Sequence, residues 1–302
     1  MIIFFRVNFL FLKIVFISSV IYSKTSFPGL DIFSSSLNLG MGGAGYLMTP
    51  SPSYSNVNPS MYKGNFFSSS IIKYPASIIN QNVGIIIPLH KGFGGFSLNY
   101  LSYGTFNGYD EDAQSIGTFN ASDTKLTTYY AIRLINYPLN IGLSTNIFMS
   151  NYNNYKFYNS TLNMGFNLDL EQFGILLGIS IHDIGKTFGD LKINFDPKLV
   201  FSCSKKLKHL PLTLYTDLIA KKNLASIISI GGEFQIGDKI QFRLGTSTKK
   251  FNQNTKNKII NTILGSTGIG LSLKTQDIFF HYGVFLYGTG AIIQGFEVGI
   301  DL

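Results

Sequence analysis

The chain has 302 residues, room for one large β domain or two ordinary ones. Only 13% of them are charged, against about 25% in ordinary soluble domains, while 45% are hydrophobic and 15% aromatic, with 27 Phe, 17 Tyr and no Trp. So little charge argues against a surface that meets water all round, and the formal net charge of +8 comes with no RNP, zinc-finger or helix-turn-helix pattern, which argues against nucleic acid as a partner.

The first predicted element is a leader. MIIFFRVNFLFLKIVFISSVIY is apolar, carries Arg6 near its start and Lys13 within it, and gives way to small and polar residues around Ser18, Ser19 and Ser23. This reads as a secretory signal peptide over residues 1–23. The rival, a spanning helix, suffers from the two cations inside the stretch.

Residues 24–64 form a distinct segment rich in Gly, Ser and Pro. GMGGAG at 40–45 formally satisfies G-x-G-x-x-G, but Pro50, Pro52 and several Ser follow where a dinucleotide fold needs a helix. Gly40, Gly42 and Gly43 are therefore read as glycines that let backbone pack closely inside a barrel mouth or make tight turns. No cofactor is implied.

From residue 65 onward the pattern is period two. In TLNMGFNLDL, 161–170, Leu162, Met164, Phe166, Leu168 and Leu170 share one parity, while Asn163, Gly165, Asn167 and Asp169 share the other. Successive strand side chains point to opposite faces, so such a segment has one oily and one wet face. The same alternation recurs in 125–134, 139–147, 240–246 and 296–302. It predicts about fourteen strands of roughly 9–11 residues, the length a tilted strand needs to cross a bilayer. They fall near 65–73, 83–89, 93–103, 124–134, 139–149, 161–170, 174–182, 196–205, 211–219, 226–236, 239–247, 263–273, 277–286 and 292–302.

Connections after even-numbered strands are short, and those after odd-numbered strands are mostly long. A meander then puts short turns at one end and long loops at the other, as in outer-membrane barrels with short periplasmic turns. The expected fold is all-β: a transmembrane antiparallel up-and-down barrel of about fourteen strands, FadL-like, over residues 65–302. Its apolar parity faces lipid and its Asn/Gly/Asp parity a lumen. Closure is required because an open sheet edge in hydrocarbon leaves N–H and C=O groups unpaired. A large secreted β-sandwich is the soluble alternative.

NGYDEDAQS, 107–115, lies in the longest expected loop; Asp110, Glu111 and Asp112 lack EF-hand spacing, and with Tyr103, Phe106 and Tyr109 they read as a solvated, partner-facing loop rather than a metal site. Lys205, Lys206 and Lys208, and Lys249, Lys250, Lys256 and Lys258, read as solubilising turn charge or as contacts to anionic lipid headgroups. Cys203, the only cysteine, sits on an apolar parity with Leu199 and Phe201 and reads as a small hydrophobe. The four His have no metal-ligand spacing, and no catalytic constellation emerges, so no enzyme activity is expected. One lumenal contact follows from geometry. Matching the outward sets Ile230, Phe234, Ile236 and Ile240, Phe242, Leu244 requires an odd loop, Gly237-Asp238-Lys239, which places Glu233 across from Arg243 as an inward ion pair. Two independent wet charges are the alternative.

These residues carry a resemblance. The Gly40, Gly42, Gly43, Ala44 run followed by Asn58 and Pro59 resembles the start of the PorV/PorQ family of outer-membrane barrels, relatives of the FadL-type transporters. YLSYGTFNGYDEDAQSIGTFNASD (100–123), KKLKHLPLTL (205–214) and GGEFQIGDKIQFRLG (231–245) resemble its PorQ branch, and the resemblance runs in order over 27–302. Ser60 departs from the family's Asn-Pro-Ala, and Leu302 ends the chain where many outer-membrane proteins have an aromatic. The resemblance implies a fourteen-stranded barrel in the outer membrane with its N-terminal segment, 24–64, tucked at the periplasmic side as a partial plug. It also implies a docking or assembly role in type IX secretion, with attachment-complex proteins, outer-membrane lipid and lipopolysaccharide as partners. A FadL-like transporter of small hydrophobic molecules is the alternative, favoured if apolar inward positions lead to a lateral gap.

Overall fold

The computed structural model describes residues 32–54, 57–134, 137–152, 155–188, 197–221, 225–252, 264–287 and 290–302; the expected leader, 1–23, lies outside them. The strands are β1 (Phe66–Lys73), β2 (Ile79–Leu89), β3 (Gly92–Tyr109), β4 (Ser115–Arg133), β5 (Leu139–Tyr152), β6 (Tyr155–Leu170), β7 (Ile175–Phe188), β8 (Lys198–Lys206), β9 (Leu212–Lys221), β10 (Ile227–Ile236), β11 (Ile240–Ser247), β12 (Thr267–Thr275), β13 (Ile278–Leu286) and β14 (Ile292–Asp301). Each pairs antiparallel with its sequence neighbour, and β1 pairs with β14, so the sheet is a closed fourteen-stranded barrel. At the seam Leu302 N–H donates to the Asn65 carbonyl, carrying the pairing to the chain's last residue.

The two parities separate as the alternation requires. On β6, Phe166 and Leu168 are exposed on the outside while Thr161, Asn163 and Asn167 are buried inside. On β12, Ile269, Leu271 and Leu273 face outward and Ser272 inward. Cys203 also faces outward. An outer surface of Leu, Ile, Phe and Tyr is costly in water and favourable against acyl chains.

The end-to-end asymmetry has a partly different origin from the one the sequence implied. Residues 104–123 are not a loop. β3 and β4 run on as one hairpin of 18 and 19 residues, through a shift between Ser102 and Gly104, and turn only at 110–114. β5 and β6 likewise extend to Tyr152 and from Tyr155. At about 3.3 Å per residue, eighteen residues make roughly 60 Å of strand, far more than the apolar band of about 25 Å needs even when tilted. The wall of β3–β6 therefore stands above the membrane on the side opposite the short turns.

A second irregularity lies in the wall itself. Between β6 and β7 the register slips so that His182 and Asp183 together oppose Asn163. Asp183 takes φ 63° there, and its N–H donates to Asn163 Oδ1 at 2.8 Å. Bulges of this kind re-aim side chains.

Leu271 lies mid-strand on the outer face of β12. Replacing it with Lys is expected to cost about 2–4 kcal/mol of stability in a bilayer, read by denaturant unfolding in lipid vesicles; a variant as stable as the parent would contradict an outward, lipid-facing Leu271.

Candidate functional site

The lumen is occupied by the chain's own N-terminal segment. It enters beside the outer end of β1, where Tyr74 hydroxyl accepts from Phe33 N–H at 2.8 Å and Asn80 Nδ2 donates to the Phe33 carbonyl at 2.8 Å. It leaves near the short-turn end, where Tyr62 stacks on Tyr129 with ring centroids 3.8 Å apart. The segment thus runs through the barrel rather than resting at its periplasmic mouth. Within it, α1 (Ser36–Gly40) is capped by Ser35, whose side chain accepts from Leu37 N–H, and packs against β12, β13 and β14.

Two rows of inward glycines make room for this backbone. Gly231, Gly245 and Gly268 are cross-strand neighbours on β10, β11 and β12, and Gly270, Gly283 and Gly295 on β12, β13 and β14. A Cβ on Gly268 would overlap the Leu39 carbonyl, and one on Gly245 the Met41 carbonyl. Gly40 and Gly42 meet these rows from the plug side. A Cβ on Gly40 would stand 2.7 Å from the Cα of Gly270, and one on Gly42 2.5 Å from the Gly245 carbonyl oxygen. Gly42 and Gly43 also have positive φ, 63° and 87°. Both roles foreseen for these glycines, close packing and tight turning, occur here.

Asn58 and Pro59 dock on the opposite wall. Asn58 Oδ1 accepts from Ser60 N–H at 3.1 Å and caps the 3-10 turn Pro59–Met61, while Nδ2 donates to the carbonyls of Phe166 and Ile179 on β6 and β7. Pro59 backbone lies over Gly142, and Asn58 over Gly165, where any side chain on the wall would collide.

Buried carboxylates then pin the segment. Glu297, on the inner face of β14, accepts from Ser35 Oγ at 2.6 Å and Ser36 Oγ at 3.3 Å. Asp217, on β9, accepts from the backbone N–H groups of Gly45 at 2.7 Å and Tyr46 at 3.4 Å. Charged acceptors make the stronger hydrogen bonds, and a buried carboxylate left without them is expensive. Tyr54 sits at the centre, fully buried; its hydroxyl accepts from Asn38 Nδ2 at 2.8 Å and donates toward the Gly45 carbonyl at 3.1 Å. Burial, helped by Asp217, pushes that hydroxyl well above the usual phenol range, so it stays a donor.

Cavities remain at both ends. At the inner end one of about 300 Å³ is lined by Leu37, Met48, Phe66, Glu233 and Arg243, and another of about 420 Å³ by Met61, Tyr62, Phe93, Asn140 and Asn167; at the outer end one of about 240 Å³ is lined by Asn38, Gly42, Tyr46 and Lys221. The consecutive residues Leu37 and Asn38 face different cavities, so α1 is part of the partition between them. In the inner cavity Glu233 and Arg243 are cross-strand partners, and Arg243 Nε donates to Glu233 Oε2 at 2.7 Å. Arg243 also bonds Ser272 on β12.

The residues expected to meet a partner divide. Tyr103 is on β3, not in a loop, and its hydroxyl donates at 2.7 Å to Asp123, which is buried on β4; this places the half-buried Tyr103 inside the outer mouth. Phe106 is exposed and stacks across the hairpin on Phe119, centroids 5.5 Å apart. Tyr109 is 61% exposed at the tip. Asp110 Oδ1 accepts from the N–H groups of Asp112 and Gln114, so it shapes the turn, leaving the side chains of Glu111 and Asp112 exposed beside it. What sequence reasoning missed was the docking role of the wall glycines; their shared inward parity was the available signal.

No family model and no curated protein matches this sequence. Solved structures do match the fold. A FadL homologue from Pseudomonas aeruginosa superposes with a TM-score of 0.57 at 9% identity, covering 89% of this chain and 98% of that one. A TodX monoaromatic hydrocarbon channel mutant superposes with a TM-score of 0.51 at 10% identity, covering 88% and 96%. The chain thus has the FadL-like fold of a closed, fourteen-stranded antiparallel β-barrel whose apolar outer face suits a membrane.

Gly268→Val is expected to dislodge the plug while leaving the barrel folded. With Cys203→Ser to silence the native thiol, a Ser53→Cys probe should resist a water-soluble maleimide in the parent and react readily in the Gly268→Val background. Equal labelling in both would contradict docking on the glycine rows.

Proposed function

We propose that this protein is a non-conducting outer-membrane barrel that serves as a docking or assembly component of the type IX secretion system, in the attachment of secreted proteins to the cell surface. The observation that carries this reading is the filled lumen. Inside, polar wall residues such as Glu297, Asp217 and Asn167 bond the plug, and apolar ones such as Ile86, Tyr129, Phe285 and Ile293 pack against it, so the surfaces most open to a partner are the two rims. On the outer rim the β3–β4 hairpin offers Phe106, Tyr109 and exposed carboxylates on a stiff two-stranded stem, a form suited to protein contact. The same block carries part of the PorQ-like sequence resemblance.

The second reading, a FadL-like transporter of small hydrophobic molecules, draws on the likeness in fold and on the cavities. Against it stand a lumen occupied by the plug and unbroken pairing along β14–β1–β2–β3 up to Ser102, which leaves no lateral gap on that side.

Crosslinking intact outer membranes and recovering the tagged full-length chain separates the readings. Attachment-complex proteins should be enriched with the parent and reduced severalfold with a Tyr109→Ser, Glu111→Lys pair. Consistent absence of those proteins from the parent sample, together with loss of hydrocarbon uptake on deleting the gene, would overturn docking in favour of transport.

A further inference from the structure

Across the seam where β1 closes on β14, the outer face of the barrel carries a depression of about 470 Å³. Its floor is one row of small side chains. Ser69 on β1 pairs with Val298 on β14 and with Val83 on β2, all on the outward parity. Larger side chains stand in the rows on either side. Phe296 and Tyr100 lie toward the long-loop end, Phe67 and Phe96 toward the short turns, and all four are exposed. Close packing leaves no such hollow empty, and a trough with aromatic walls on a lipid-facing surface takes a hydrocarbon chain.

A second observation is polar. Lys73, the last residue of β1, and Gln294, its cross-strand partner on β14, both face outward and are exposed just above the trough. Gln81 faces outward on β2 and lines the depression; it lies diagonal to Lys73 across the strand pair, a spacing long side chains bridge. The Tyr282 hydroxyl donates to Gln294 Oε1 at 3.4 Å. Among the described residues no carboxylate pairs with Lys73. Amides, an ammonium and tyrosine hydroxyls are costly among acyl chains, so on an outer face they mark the boundary between hydrocarbon and headgroups.

We propose that this trough binds one outer-leaflet lipid of the lipid A type. An acyl chain lies over Ser69, and a headgroup phosphate is held by Lys73 and the amides of Gln81 and Gln294. Ammonium and amide N–H groups are donors for a phosphate, and a lysine at a membrane surface adds affinity for an anionic headgroup. Position selects the leaflet, because Lys73 lies at the end opposite the short turns. In an outer membrane the phosphorylated lipid of that leaflet is lipid A. The site rests on the outer-membrane placement proposed above, and on neither the docking role nor the state of the lumen.

The test adds diphosphoryl lipid A to the detergent-solubilised full-length chain and counts bound lipid by native mass spectrometry. One lipid should be retained saturably. Lys73→Gln should weaken the apparent affinity about fivefold, the share of one lysine at an anionic surface. Ser69→Phe, which fills the trough and keeps the outer face apolar, should weaken it by at least as much. Thr216→Phe makes a similar enlargement on the exposed outer face of β9 and should leave it unchanged. Heat-modifiable gel migration checks that each variant is folded. The purified chain is free of its membrane and of any secretion partner, so a failure here leaves placement and docking standing. Parent-like binding by Lys73→Gln, equal effects of Ser69→Phe and Thr216→Phe, or equal retention of phosphatidylglycerol would overturn the site.

Discussion

Everything in this molecule depends on the pairing of backbone polar groups where no water is present. In hydrocarbon an unpaired N–H or C=O costs several kcal/mol, so the sheet has no tolerable edge and closes through β1 and β14. Closure fixes the parities: one set of side chains looks at lipid, the other at an enclosed space. Much of that space is not filled from the wall, because many of its inward positions are Gly, Ser, Thr and Asn. Residues 32–54 and 57–64 fill it instead. Their own backbone groups need partners, and the wall supplies Asp217 as acceptor and Asn80 and Asn82 as donors, while Glu297 takes the Ser35 hydroxyl.

Glycine is what lets plug and wall meet. A pleated wall normally projects a Cβ every second residue into the lumen, which would hold a docked backbone away from the sheet. Rows such as Gly270, Gly283 and Gly295 remove that layer locally, and α1 lies in the groove they leave. Gly142 and Gly165 do the same for Asn58 and Pro59 on the far wall. The plug is thereby held from two sides, and its polar contacts connect residues far apart in the chain, such as Ser35 with Glu297.

Much of the wall was legible in the sequence because parity is a local property. Leu162 through Leu170 declared their face without reference to any other strand, and three residues between Ile236 and Ile240 sufficed to place Glu233 opposite Arg243. The upper β3–β4 hairpin was not legible. Its Gly, Asn, Ser and Thr look like loop composition, since a strand above the membrane has no lipid face to mark it. The path of the plug was hidden for a different reason: Gly45 meets Asp217, and Asn58 meets Phe166, over separations that carry no periodic signal. The bulge at Asp183 was likewise silent, being one residue out of step in an otherwise regular strand.

With the chain's own backbone in the lumen, the proposed docking role makes the barrel a mount for its rims rather than a pipe. Single-channel recording in a planar bilayer addresses it directly. The intact full-length protein should insert without opening steady ion-conducting steps, whereas Gly268→Val, with its plug displaced, should conduct. Steady conductance by the intact protein, equal to that of the variant, would contradict a filled lumen.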